Sequence, residues 1–217
     1  MALAIFDLDN TLINGDSDHR WGEFLCAEGL VDPRSFSREN DRFYQDYQAG
    51  KLDIQAYLQF ALRPLAGRTV GEVAELQQRF MRDYVEPMLL PAAFSLLDKH
   101  REQGDKLVII TASNTVITKP IARRLGVSTL MGCDVEIKEG KFTGASVGIP
   151  SFREGKVARL TEWMSTNNYS LDGAWFYSDS HNDVPLLERV DNPVATDPDP
   201  QLAELARQRS WPIISLR

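Results

Sequence analysis

The sequence predicts an α/β fold, a parallel sheet with helices on both faces, interrupted by an all-helical domain. Three observations carry this. Short apolar runs recur at 2–6, 106–111, 174–178, 192–196 and 212–216, and helical patterns separate the later ones. Strand and helix in alternation build a parallel sheet covered on both sides. After the first run, roughly 70 residues up to Pro87 carry only helical periodicity, too long for an ordinary crossover.

In chain order, ALAIF (2–6) is the first strand. The stretch 15–86 reads as a helical cap, with Trp21, Phe24, Leu25 and later Tyr57, Leu58, Ala61 and Leu62 at amphipathic spacing. Residues 1–14 and 87–217 then form the core domain. PAAFSLLDKHREQG (91–104) is a helix that stops at Gly104 after three basic residues. KLVIIT (106–111) is the next strand. CDVEIKEGKFTGASVGI (133–149) alternates around Glu139-Gly140 and predicts a β-hairpin. Helices are expected at 153–165, 182–190 and 200–209, between strands AWFYS, NPVAT and PIISL. The whole is Rossmann-like.

Composition narrows the function. Hydrophobic content of 43% and charged content of 25% suit an ordinary packed core. A net charge of −7 without a basic stripe argues against a nucleic-acid partner. The two cysteines, Cys26 and Cys133, form no CxxC pair and read as reduced thiols of a cytoplasmic protein. No apolar run approaches the ~20 residues that span a bilayer, and no signal peptide or membrane partner is expected. Nothing in the sequence signals an oligomeric state.

In an open parallel sheet, ligands bind beyond the carboxyl ends of the strands. After the first strand come Asp7, Asp9 and Thr11. After KLVII come Thr111, Ser113 and Asn114, and after AWFYS come Asp179, Asn182 and Asp183. Converging carboxylates with no matching arginine cluster call for a hard cation, and oxygen-only ligation favours Mg²⁺. Thr111, the backbone N–H groups of 112–114 as the next helix opens, and Lys156 suit a phosphoryl group. A carboxylate can attack phosphorus and form an aspartyl-phosphate. A second carboxyl group can protonate the leaving alkoxide and then activate water. Positions 7 and 9 share a face of an extended strand, so both reach one phosphate.

Asp7-Leu8-Asp9-Asn10-Thr11, then Thr111, Lys156 and Asp179…Asn182-Asp183, resemble in order the four motifs of the haloacid dehalogenase superfamily. The helical insert after the first motif resembles the cap of its phosphoserine-phosphatase-like branch. The resemblance spans essentially the whole chain and implies a phosphomonoesterase. It implies that Asp7 is nucleophile and metal ligand, and that Asp9 is general acid/base with its backbone carbonyl on the metal. Thr111 and Lys156 would hold phosphoryl oxygens, Asp179 and Asp183 would complete the metal site, and Asn182 would orient phosphate or lysine. The sequence departs from the pattern at SDSHND, where many relatives have glycines around the first aspartate.

Asp16 lies seven residues after Asp9, where phosphoserine phosphatases carry a glutamate for the substrate amine, and Asp18 follows. A carboxylate-bearing substrate also calls for a cap arginine; Arg63 and Arg68 are the candidates. Two nearby acids better suit an amine and imidazole without a carboxylate, as in histidinol phosphate, which some members of the branch hydrolyse. The alternatives are a phosphoserine phosphatase and a phosphotransferase built on the same aspartyl-phosphate. A signalling receiver also builds an acidic Mg²⁺ pocket, but its phosphorylated aspartate follows a later strand and no helical domain follows strand one. Trp21, Phe43, Tyr44 and Tyr47 are expected to be core.

Overall fold

The computed structural model describes residues 2–217. The chain runs β1 (Leu3–Phe6), α1 (Ser17–Ala27), α2 (Pro33–Gln48), α3 (Ile54–Leu62), α4 (Val70–Phe80), α5 (Pro91–Glu102), β2 (Lys106–Asn114) and α6 (Thr115–Arg124). It continues through β3 (Thr129–Lys138), β4 (Lys141–Val147), α7 (Glu154–Asn167), β5 (Trp175–Ser178), α8 (Val184–Leu187), β6 (Asn192–Thr196), α9 (Pro200–Arg209) and β7 (Ile213–Ile214). The strands form one sheet of order β4-β3-β2-β1-β5-β6-β7. All neighbours are parallel except β3 and β4.

Strand periodicity explains why both faces are covered. Ala4, Phe6, Leu107 and Ile109 point into one apolar cluster, and Leu3, Ile5, Val108 and Ile110 into the other. The second cluster packs Leu160 of α7, Leu186 and Leu187 of α8, and Leu202 and Ala206 of α9. The first continues without a break from the sheet into Trp21, Phe24, Phe60 and Phe80 of the helical segment. That segment leaves and re-enters through a paired neck, where Ile13 pairs with Leu89 and the Asn14 N–H donates to the Met88 carbonyl at 2.8 Å.

Local chemistry sets the helix starts. Asp32 caps α2 ahead of Pro33, Thr69 and Glu72 form a reciprocal capping box on α4, and Asp199 caps α9 ahead of Pro200. The hairpin turns where predicted, with φ of 50° at Glu139 and 74° at Gly140, the two left-handed residues of its tight turn. Its first strand begins earlier than the sequence indicated, because Thr129–Met131 pair with β2 before the hairpin starts.

Two other expectations change. The helix read at 182–190 is a 3₁₀ turn, His181–Asp183, followed by the single turn of α8. Residues 112–114 end a nine-residue strand instead of opening a helix, and α6 starts at Thr115 with Asn114 as its cap.

Candidate active site

The carboxyl edges of β1, β2 and β5 meet at Asp7. β1 pairs with β5 through Phe6 and Tyr177, and the Asp7 N–H donates to the Tyr177 carbonyl at 2.9 Å. The chain then curls: the Leu8 carbonyl accepts N–H bonds from Thr11, Leu12 and Ile13, and Asn10 takes φ 56°. Asp7 and Asp9 line one pocket. This turn brings Asp9 there, since strand geometry has already ended; the alternation expected from the sequence is not the cause.

Lys156 reaches the same point from α7. Its ammonium is buried and lies 2.7 Å from both Asp7 Oδ1 and Asp183 Oδ2. Burial would lower its pKa, but Asp183 and Asp7 outweigh that and raise it above the ordinary lysine value. The start of α7 depends on Gly155, where a Cβ would lie 2.0 Å from the Pro150 carbonyl oxygen. No other residue lets this turn tuck under the loop and aim Lys156 inward.

Asp183 also accepts from Ser178 Oγ at 2.7 Å. Asp179 accepts from Thr11 Oγ1 at 3.2 Å, and its own N–H donates back to that hydroxyl at 3.0 Å. The serines of SDSHND tie the loop internally: Ser178 Oγ accepts from the Ser180 N–H and Ser180 Oγ from the Asn182 N–H. Asp7, Asp179 and Asp183 thus crowd around one ammonium. Burial, followed by the Lys156 charge that opposes it and then by Asp183 and Asp9, leaves the Asp7 carboxyl pushed up to about 7. Burial, Asp7 and Asp183 raise Asp179 well above the carboxylate range. Three carboxylates against one ammonium leave an excess of negative charge, and an oxygen-only donor set of that kind fits a hard cation. The cage is not preformed, however: among the described residues no three His, Cys, Asp or Glu stand ready to hold a metal ion. One oxygen of Asp7 and one of Asp183 are on Lys156 instead.

Asp9 faces the other way. Its Oδ1 accepts from the Ser17 N–H at 2.6 Å, and its Oδ2 from Ser113 Oγ at 2.7 Å and Thr111 Oγ1 at 3.3 Å. The Ser113 N–H is bonded to Thr111 Oγ1 at 3.1 Å, so one of the N–H groups expected to face a phosphate is already engaged. Asn182 is likewise engaged elsewhere. Its Oδ1 accepts from Arg153 and its Nδ2 donates to the Tyr47 carbonyl and Ser180 Oγ; it touches neither Lys156 nor Asp7.

Beyond Asp9 the pocket runs under the helical segment. Asp16 caps α1 through the His19 N–H and also lines the pocket. Its carboxyl is pushed up to about 7 by burial and by Asp9. Asp18 is buried, accepts from Asn114 Nδ2 at 2.7 Å, and is raised by burial, Asp16 and Asp9. Phe43, Tyr44, Tyr47 and Tyr57 form the wall. Three of the four aromatics expected to be core, Phe43, Tyr44 and Tyr47, therefore border the pocket, and only Trp21 is pure packing. Their signal was present: Tyr44 and Tyr47 are three apart on α2, one face of a helix otherwise poor in apolar residues.

No lysine or arginine lines this pocket. Arg63 lies over the Phe60 ring at 6.0 Å, and Arg68 Nε donates to the Pro64 carbonyl at 3.0 Å. Neither reaches it. Among the described residues no helix is long and apolar enough to cross a membrane.

A family model described as haloacid dehalogenase-like hydrolase matches residues 4–188. A histidinol-phosphatase from Neisseria meningitidis serogroup C is 42% identical, over 99% of this chain and 99% of its own. A solved protein of unknown function from Bordetella pertussis Tohama I superposes with a TM-score of 0.93 at 41% identity, covering 100% of this chain and 99% of that one. A substrate-bound phosphoserine phosphatase shares the fold at a TM-score of 0.73 and 17% identity, covering 100% and 93%.

Proposed function

This chain belongs to the haloacid dehalogenase-like hydrolases and is a phosphatase, and on that premise we propose that it hydrolyses a small cationic phosphomonoester, histidinol phosphate first, through an aspartyl-phosphate on Asp7. The observation that carries the substrate reading is the pocket that runs on from Asp7 and Asp9: two further acids, Asp16 and Asp18, four aromatic rings, the His19 imidazole and, among the described residues, no lysine or arginine. An ammonium and an imidazole find carboxylates and ring faces there. Phosphoserine would bring a carboxylate beside Asp16 and Asp18 with no lysine or arginine to receive it. The similarity to a histidinol-phosphatase supports the same choice.

In this reading Asp7 attacks phosphorus, and Lys156, Thr111 and Ser113 bind the phosphoryl oxygens. Asp9 carries the proton to the departing alkoxide, then takes one from water that cleaves the acyl-phosphate. The Ser17 N–H holds that carboxyl through both tasks, while Ser113 and Thr111, whose hydroxyls are on Asp9 without substrate, would turn them to the phosphoryl oxygens. Asp7, Asp179, Asp183 and the Asp9 carbonyl would hold Mg²⁺, which offsets phosphoryl charge when bound. Asn182 holds the loop that carries the two later acids. Asp16 and Asp18 take the substrate's cationic end. We further take residues 15–86 to be a cap that closes this end over residues 1–14 and 87–217, in a cytoplasmic enzyme.

The test is phosphate release by the purified protein with Mg²⁺, across histidinol phosphate, phosphoserine and other amino-alcohol phosphates. Histidinol phosphate is expected to give the highest kcat/KM. Faster turnover of phosphoserine would overturn the substrate, and a phosphorylated acceptor without free phosphate would favour the phosphotransferase.

A further inference from the structure

We propose that Arg153 is a positioning residue that clasps the end of α2 onto the 179–183 loop and so seats Tyr47 over the acid cluster. Its guanidinium joins three segments. Nε and one terminal nitrogen donate to Asn182 Oδ1 at 3.1 and 3.0 Å, and the same terminal nitrogen donates to the Gly50 carbonyl at 2.5 Å. Asn182 completes the joint by donating Nδ2 to the Tyr47 carbonyl at 3.1 Å. Both carbonyls lie where α2 ends, at the negative pole of the helix, which favours a cation; the Tyr47 carbonyl also accepts the Gly50 N–H at 3.0 Å.

The surfaces are shaped for each other. Gly50 has φ 66°, and a Cβ on it would lie 2.7 Å from His181 Nε2 and 3.3 Å from the Arg153 guanidinium. His181 is itself held by Asp199, through its backbone N–H at 2.8 Å and through Nδ1 at 2.7 Å. That explains the histidine at this position without a role in chemistry. Tyr47 lines the pocket with Asp7, and burial together with the charges of Asp179, Asp7 and Asp183 raises its hydroxyl well above the ordinary phenol value. Away from this joint, the helical segment is fastened to the hairpin by backbone bonds, Gly67 to Phe142, Phe142 to Arg68 and Val70 to Gly140. Substitution does not remove backbone bonds. The Arg153 joint is made by side chains, so one substitution breaks it.

The inference does not depend on which ester is hydrolysed. R153A is expected to lower kcat/KM for histidinol phosphate by about 10- to 100-fold, the loss that ~1 Å misplacement causes, chiefly through KM. Turnover of p-nitrophenyl phosphate, which has no group for Asp16 or Asp18, should fall far less. R153K should recover part of the loss by keeping one donor. In hydrogen exchange, the amides of Ala49, Gly50 and Lys51 should lose protection in R153A while β1 and β2 keep theirs. G50A, which drives a methyl group between His181 and the guanidinium while leaving Arg153 every donor, should reproduce both signatures.

Unchanged exchange at 49–51 would overturn the clasp. So would equal losses on both substrates, which would place the effect in the 179–183 loop alone. Loss of protection throughout the sheet in both variants would make the joint a prop of the core and also overturn it. If the wild type ignores histidinol phosphate, the substrate reading fails while the exchange result still decides the clasp.

Discussion

Acids stand on both sides of Asp9, in surroundings that differ in one respect. On the sheet side, Asp7 and Asp183 share a buried ammonium, and Asp179 is braced by Thr11. On the helical side, among the described residues, no lysine or arginine reaches Asp16 or Asp18: Asp16 accepts the His19 N–H and Asp18 the Asn114 amide, with the His19 ring on the same pocket wall. The sheet side comes from strand ends locked by main-chain pairing, and the helical side from the first turn of α1 and the face of α2. A cation supplied by the chain suits chemistry that must occur in one place. A site that leaves its acids without one is built to take the cation from its ligand. On the proposed function, the difference separates reaction from recognition by where the chain withholds lysine and arginine.

The largest expected effect breaks the sheet side. Asp7→Asn should cost about 10⁴-fold or more in turnover, read as phosphate release, because no nearby group replaces the nucleophile. Asp9→Asn should follow with a loss of about 10²–10⁴ in kcat, the usual worth of a positioned acid/base. Full activity in either variant would remove its assigned role. Phe80→Ala tests whether the two sides share one core. It should lower stability by about 3–5 kcal/mol in a single melting transition, because the apolar cluster is continuous; two separate transitions would show that the helical segment melts by itself.

Asp18→Asn should act on recognition, raising KM for a cationic ester by about 10- to 150-fold, the worth of a hydrogen bond to a charged group, with kcat kept. A loss confined to kcat would place Asp18 in the chemistry. The smallest effect is the pH dependence of the metal-free protein. Asp7 and Asp16 are each raised to about 7 by burial. Between the unfolded carboxylate range and pH 7 the native state therefore holds more protons than the unfolded chain, so stability falls as pH rises across that window. Tm should be lower at pH 8 than at pH 5, and D16N should flatten the slope; a Tm that climbs from pH 5 to 8 would contradict both assignments.

Much of the sheet side is legible in the sequence, because apolar strand, then acid, is a local pattern repeated at 7 and 179. The helices at 91–102 and 200–209 were readable from their prolines, caps and basic ends. What escaped was set by distant partners. Thr129–Met131 become strand only by pairing with β2. Asn182 looked like a ligand for phosphate or lysine until Arg153 and Tyr47, far away in the chain, took up its amide. Tyr44 and Tyr47 read as packing because aromatic residues at helical spacing look the same whether they face a core or a cavity.

The sequence by itself determined the order of strands and helices, the motif residues and the long helical insertion, since each rests on periodicity, capping or spacing along a short stretch. Only the tertiary structure decided which side of Asp9 has a cation, which arginine closes the joint and which aromatics border open space. Those outcomes depend on through-space burial and charge between residues as much as 149 positions apart, as with Lys156 and Asp7, and no local pattern encodes that.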